Sequence, residues 1–154
     1  MTNKVLLLEA DEQPCLGILS DLIGYNLHRA EIASYRYFIQ TLHPKTTPKQ
    51  FSVLILVETN PGISQVDLGN QLGMDRATTM AVIDKLHNRK LLQRNKSSVD
   101  RRKHELNLTK SGKLVLRRLK RDIQTHENQL TKHLTGKDKK LLNNLLKQIR
   151  ENLE

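Results

Sequence analysis

Two short polar stretches hold the side chains best suited to grip a ligand. The first is Asp75-Arg76-Ala77-Thr78-Thr79-Met80, which offers a capping carboxylate, a guanidinium, two hydroxyls and a thioether. Arg76 can fork onto a guanine edge or hold a phosphate. The Thr78 and Thr79 hydroxyls can reach base edges, and Met80 can pack on a thymine methyl. The second stretch is Ser97-Ser98-Val99-Asp100-Arg101-Arg102-Lys103, three cations around one carboxylate. Asp100 is placed to hold one guanidinium in a bidentate pair. A guanidinium so presented on a hairpin suits a narrow minor groove, where negative potential is concentrated. The bland alternative for both stretches is a set of solvated surface residues.

The charge distribution argues against that alternative. The 154-residue chain carries a net charge of +10, and residues 76–121 hold 15 Lys/Arg against 3 Asp/Glu. Residues 1–75 are slightly acidic and residues 122–154 nearly neutral. A basic excess so confined is the footprint of a nucleic-acid face. Lys85, Arg94 and Lys96 belong to it, and Ser64 and Gln65 stand at a preceding helix start whose free N–H groups suit a phosphate.

The elements that must carry these residues are legible from caps and periodicity. Leu16, Leu19, Ile23, Leu27, Ala30 and Tyr37 predict one helix from 16 to 42. Thr47-Pro48-Lys49-Gln50 reads as a capping box opening a helix over 48–58, which Asn60-Pro61-Gly62 ends. Ser64 with Asp67 starts a short helix stopped by Gly73, and Asp75 starts another reaching about Arg89. Two helices joined by so short a glycine-containing turn form a helix-turn-helix signature. Leu91–Lys96 and Lys103–Thr109 then read as a hairpin, or wing, with its basic tip between them. Thr109 caps a long helix with apolar positions Leu116, Leu119, Ile123, His126, Leu130 and Leu134. Thr135 with Asp138 opens a last, leucine-rich helix.

The expected fold is therefore mainly α with a small β-hairpin wing: a winged helix-turn-helix over 43–121, flanked by helices at 1–42 and 122–154. Their broad apolar stripes would be exposed in a single chain, so these two segments are expected to form a homodimer interface.

The stretch from Val53 to Leu116 resembles the MarR (multiple antibiotic resistance regulator) family. The resemblance rests on Asp67-Leu68-Gly69-Asn70-Gln71-Leu72-Gly73, Asp84-Lys85-Leu86, Asp100-Arg101-Arg102 and Leu106-Asn107-Leu108-Thr109-Lys110-Ser111-Gly112. It implies a dimer with a recognition helix in each major-groove half-site and wings in the flanking minor grooves. By the same match Arg102 reaches the minor groove and Asp100 orients it. The chain departs from the family at Met80-Ala81, where a polar residue and Arg are common, and at Lys90, where glycine is usual. The resemblance also implies an effector pocket between the dimer helices and the winged helix. Tyr25, His28, Arg29, Tyr37, Phe38 and Phe51 are its candidates, with Arg29 pairing an anionic aromatic or a thioester. Core and surface roles remain the alternative for these six.

Other chemistries find less support. No GxSxG, HExxH or phosphate loop occurs, so catalysis is not expected. The six histidines suggest no metal site: His126 and His133, read as two turns apart on one helix, stand ~10 Å from each other. No cofactor is expected. Cys15 is the single cysteine, with Glu9, Asp11 and Glu12 upstream instead of the cation or helix N-terminus that an activated thiolate requires. The longest apolar run, Val53–Val57, is far short of a membrane span, and the N-terminus does not read as a secretory signal. A cytoplasmic regulator of transcription, more a repressor than an activator, binding a pseudo-palindromic operator in double-stranded DNA, is the leading reading. A non-specific architectural DNA-binding protein and a redox sensor acting through Cys15 are the alternatives.

Overall fold

The computed structural model describes residues 14–41, 46–96 and 104–153, and polar caps begin most of its helices. The Thr47 hydroxyl accepts from the Gln50 N–H (3.3 Å) while Gln50 Oε1 accepts from the Thr47 N–H (3.2 Å), opening α2 (Pro48–Thr59). Ser64 caps α3 (Gln65–Gln71), Asp75 caps α4 (Arg76–Asn88), and Thr109 caps α5 (Lys110–Leu130). A second capping box, Thr135 with Asp138, opens α6 (Gly136–Glu151). Each cap supplies an acceptor for a backbone N–H that has no partner inside the helix.

The start of the chain departs from expectation. Where one helix is predicted from 16 to 42, a 3-10 turn at Gly17–Asp21 precedes α1, which spans Ile23–Thr41. Gly17 lies at φ 54 and Leu22 is extended, so the two pieces are not continuous. Ser20 Oγ donates to Gly17 O within the 3-10 turn, and Asn26 Nδ2 donates to Ser20 O across the break. Apolar spacing of three and four residues is shared by both pieces, so periodicity could not separate them. Position 42 lies outside the described residues.

The predicted hairpin is present as β2 (Leu92–Lys96) and β3 (His104–Leu108), antiparallel, with Leu92 opposite Leu108 and Arg94 opposite Leu106. A third strand was not anticipated. β1 (Ile63–Ser64) pairs with the other edge of β3, Ile63 opposite Leu106, giving the order β1-β3-β2. Two residues are too few to show an alternating pattern; β3 makes them a strand.

Helices α2 to α5 and the sheet close around Val53, Leu54, Val57, Leu68, Ile83, Leu86, Leu92, Leu106 and Leu116, all buried. Lys120 on α5 pairs with Glu58 on α2, and Arg89 bonds Gln50 and Thr46, tying the end of α4 to the start of α2. A close joint lies between the turn that leaves α4 and the start of α5. Thr109 Oγ1 donates to Lys90 O (2.6 Å), the Thr109 N–H donates to Leu91 O (3.1 Å), and Gly112 abuts Leu91 so closely that a Cβ there would sit 2.1 Å from Leu91 O. The turn into this joint puts Lys90 at φ 56, in the left-handed region that favours glycine.

The chain divides into two compact units, residues 1–33 and 34–154. The first exposes Leu16, Ile18, Leu19, Leu22, Ile23 and Leu27; in the second, α6 buries none of its residues and exposes Leu141, Leu142, Leu145 and Leu146. No helix among the described residues is long and apolar enough to cross a membrane.

Two substitutions test the α4–α5 joint by urea unfolding. Lys90→Gly exchanges a left-handed strain of ~1–2 kcal/mol for a glycine entropy cost of ~0.5–1 kcal/mol, so it is expected to stabilise by up to ~1.5 kcal/mol. Gly112→Ala is expected to destabilise by ~1–3 kcal/mol or more, because the new methyl meets backbone that cannot yield locally.

Candidate nucleic-acid interface

Asp75 organises the start of α4. Its carboxylate accepts from the Thr78 N–H (2.7 Å) and from the Thr78 hydroxyl (2.8 Å). These two bonds, the backbone one foremost, hold the Asp75 carboxyl below its ordinary titration range. Thr78 is thus half-buried with its hydroxyl directed at its own cap.

At about 100° per residue, α4 sorts its side chains onto distinct faces. Thr79, Val82, Ile83 and Leu86 are buried. Diametrically opposite lie Ala77 and Ala81, exposed and small, with Asp84 beside them. Arg76 and Met80 flank this face on the side of α3, where they line a groove of about 620 Å³ with Ser64, Gln65 and Val66. Thr78 flanks the other side, in a smaller groove of about 250 Å³ with Pro48, Lys49 and Ser52 of α2. Arg76 and Lys85 are both exposed, on opposite flanks. The most outward positions, Ala77 and Ala81, escaped the sequence reading because alanine offers no chemistry. Their contribution is steric: they let the helix axis approach a surface closely.

Three expected contacts change character. Thr79 is only 3% exposed, and its hydroxyl donates to Asp75 O (2.8 Å) while packing over Gly69, where a Cβ would come within 2.8 Å of Thr79 Oγ1. It is a packing residue between α3 and α4, a correction to its reading as a base contact. Arg94 is half-buried and donates through Nη2 to Asp84 Oδ1 (2.5 Å), so it ties β2 to the recognition helix. Ser64 Oγ donates to Asp67 Oδ2 (2.7 Å) and accepts from the Asp67 N–H (3.1 Å), so the hydroxyl serves α3. Asp100, Arg101, Arg102 and Lys103 lie outside the described residues; Lys96 closes β2 opposite His104.

The basic segment also divides. Of the 15 cations in 76–121, six are on α5: Lys110, Lys113, Arg117, Arg118, Lys120 and Arg121, all exposed. Helix α5 starts against Lys90 and Leu91, some ~20 Å along α4 from Arg76. Half of the net excess therefore lies away from the start of the recognition helix.

A second polar feature emerges at the other end of α5. His126, read from the sequence as one position of an apolar stripe, is only 3% exposed. Tyr37 stacks on it (ring centroids 4.9 Å) and Phe38 meets it edge-on (5.6 Å), while neither imidazole nitrogen has a hydrogen-bond partner among the described residues. Phe51, another pocket candidate, packs at the edge of the core. Tyr25, His28 and Arg29 belong to the first unit, where His28 and Arg29 are exposed. His133 sits in the turn after α5, not on it, and no group of three or more metal-binding side chains occurs among the described residues.

Comparison with known proteins gives this geometry its context. The MarR family profile matches residues 46–104. The transcriptional repressor CouR, solved on a 23-mer DNA duplex, is 38% identical, with a TM-score of 0.85 over 90% of this chain and 99% of that one.

The chain belongs to the MarR family.

CouR has also been solved with p-coumaroyl-CoA (36% identical, 90% of this chain and 98% of that one, TM-score 0.82). The regulator PcaV from Streptomyces coelicolor, with its natural ligand, is 25% identical over 92% of this chain and 100% of that one, with a TM-score of 0.85. A protein of Thauera aromatica named for transcriptional regulation of the hcr operon is 28% identical over 86% of this chain and 81% of that protein. As a MarR-family member this chain is a DNA-binding regulator of transcription and not an enzyme, and its fold is the family's winged helix with a three-stranded sheet.

The cap on α4 predicts a pH dependence. Because folding lowers the Asp75 titration, its contribution to stability is complete above the ordinary carboxylate range. It is lost as the pH falls through that range toward the lowered folded value. Asp75→Asn, which keeps the capping oxygen without titrating, is expected to flatten the acid limb of stability between about pH 2 and 6 in chemical unfolding. An unchanged acid limb would remove the carboxylate charge from the cap's energetics.

Proposed function

We propose that this MarR-family chain is a homodimeric repressor that binds a pseudo-palindromic operator and is released by a small effector. The observation that carries the DNA reading is the outward face of α4: Ala77 and Ala81 clear of side-chain bulk, with Arg76 and Met80 on one flank, in a chain 38% identical to a repressor solved on DNA. Arg76, Thr78, Met80 and Lys85 enter the major groove, while Gln65 and Ser64 face the adjoining backbone. Lys96, Asp100, Arg101, Arg102 and Lys103 form the wing contact, with Arg102 in the minor groove.

Residues 1–42 and 122–154 form the dimer. The support is the leucine-rich surface of the 3-10 turn, of α1 and of α6, which a single chain leaves open to water. A two-fold dimer then sets its recognition helices about one helical turn of DNA apart, ~34–36 Å.

The effector is an anionic aromatic or an aromatic acyl thioester, held by Tyr25, His28, Arg29, Tyr37, Phe38 and Phe51. CouR solved with p-coumaroyl-CoA and the aromatic packing at Tyr37 and Phe38 support that class. The stripe Lys110, Lys113, Arg117 and Arg121, one face of α5 away from the start of α4, is available to the phosphates of such a thioester.

In vitro selection from a random duplex pool at physiological salt tests the reading. The expected result is a palindrome with half-sites one turn apart, and Arg76→Ala is expected to cost ~1–3 kcal/mol at one position and relax preference there. Equal loss on every sequence would make Arg76 a backbone contact. Enrichment of no motif would favour the architectural alternative, which the displaced basic charge of α5 would suit. Light scattering at micromolar concentration is expected to give the dimer mass; a single species at monomer mass would overturn the interface. Adding p-coumaroyl-CoA to the operator complex tests the thioester arm, with dissociation the expected outcome.

A further inference from the structure

Val66, in the first turn of α3, is 70% exposed, and Met80 on α4 is 42% exposed; both line the groove that Arg76 enters. The free protein has no evident use for Val66. The core takes Leu68 from the same helix, fully buried, and a β-branched residue is a poor choice for an exposed helical position. The remaining solvent-facing positions nearby are polar or small: Asp67, Asn70 and Gln71 on α3, Ala77 and Ala81 on α4. Two alkyl groups from different helices thus converge in one groove on a surface that is otherwise polar, small or charged.

The major groove of DNA offers one apolar feature at base level, the thymine C5-methyl. We propose that Val66 and Met80 together form a methyl-reading surface, which makes a thymine at one position of each half-site a determinant of operator choice. The proposal rests on the DNA-binding reading above and adds the chemical feature recognised and a residue, Val66, that it does not use. Arg76 beside the alkyl pair would read its own base, and the methyl would add discrimination at a neighbouring position.

The test uses the duplex recovered by selection, with each thymine replaced singly by deoxyuridine. That exchange removes only the methyl group and leaves base pairing intact. Wild-type protein is expected to bind about fourfold more weakly when the recognised thymine loses its methyl. Val66→Ala is expected to bring the thymine-to-uracil ratio close to one at that position and leave other positions unchanged. Val66→Thr, which keeps the side-chain shape but replaces one methyl with hydroxyl, is expected to give an intermediate ratio; it carries the test if the alanine variant is unstable. Met80→Ala is expected to reduce the same ratio.

Equal wild-type affinity for thymine and uracil at every position would overturn the proposal. So would a Val66→Ala variant that weakens both duplexes equally, the result expected if Val66 packs on the sugar–phosphate backbone. Failure to enrich any duplex is a different result: it would overturn the regulator reading itself, and this inference with it.

Discussion

The contact between Gly112 and Leu91 constrains more of this molecule than any other single approach. Backbone meets backbone there without an intervening side chain, so the start of α5 cannot shift without moving the segment that leaves α4. Thr109 locks the arrangement from three directions: its hydroxyl caps Gly112 and reaches Lys90 O, and its N–H reaches Leu91 O. The end of the recognition helix, the entry to β2, the exit of β3 and the first turn of α5 thus converge on about four residues. The left-handed backbone of Lys90 follows from the same demand, since the chain must reverse at once to bring Leu91 under Gly112. A strained lysine at this turn shows that the geometry is maintained even where the sequence does not favour it.

That joint explains how a small domain can present one helix rigidly. Helix α4 is fixed at its far end by Leu91 and Thr109, along its side by Arg94 to Asp84, and near its origin by Thr79 packed over Gly69 of α3. Thr79 over Gly69 sets how near α3 can come, because any larger residue at 69 would push the helices apart. What is left free is the face that carries Ala77 and Ala81, with Arg76 and Met80 beside it. Binding to a groove needs side chains that do not have to be ordered at the moment of contact, and a helix held on three sides meets that condition.

The parts of this fold that were legible in the sequence are those whose cause is local. Thr47 with Gln50, Ser64 with Asp67, Asp75 with Thr78 and Thr135 with Asp138 each act within four residues, and each cap stands where the spacing predicts it. The hairpin was legible because Leu106 and Leu108 alternate with polar residues. Strand β1 was not, because two residues acquire their pairing from β3 some forty positions away. Thr78 and Thr79 are the same residue type in adjacent positions, yet one helical step leaves the first half-buried at the helix cap and sends the other into the core. Composition cannot make that distinction, and only the positions of Val82, Ile83 and Leu86 reveal it. The charge count likewise saw one basic segment where the fold makes two surfaces. His126 fitted the apolar stripe because it is buried against Tyr37 and Phe38; that it is an imidazole whose nitrogens make no hydrogen bond among the described residues, with only the Glu127 carboxylate 3.7 Å from Nδ1, became visible only in the structure.

The same α5 that meets α4 at Gly112 carries His126 fourteen residues later, ~21 Å along its axis. A helix of that length transmits displacement because its core-facing side is continuous: Gly112, Leu116, Leu119 and His126 are all buried. An aromatic ligand that changed the packing of Tyr37 and Phe38 against His126 would press on one end of this rod, and the other end has no slack at Leu91. Affinity for DNA would then fall only by the difference in ligand affinity between the two positions of α5, and DNA would weaken the ligand by the same factor. In the proposed two-fold dimer the effect would be larger, since a small rotation of each α5 would change the spacing of two recognition helices at once. The rigidity that favours tight DNA binding is therefore also what would make the protein responsive to an effector, because a loosely attached recognition helix could absorb the displacement without releasing its half-site.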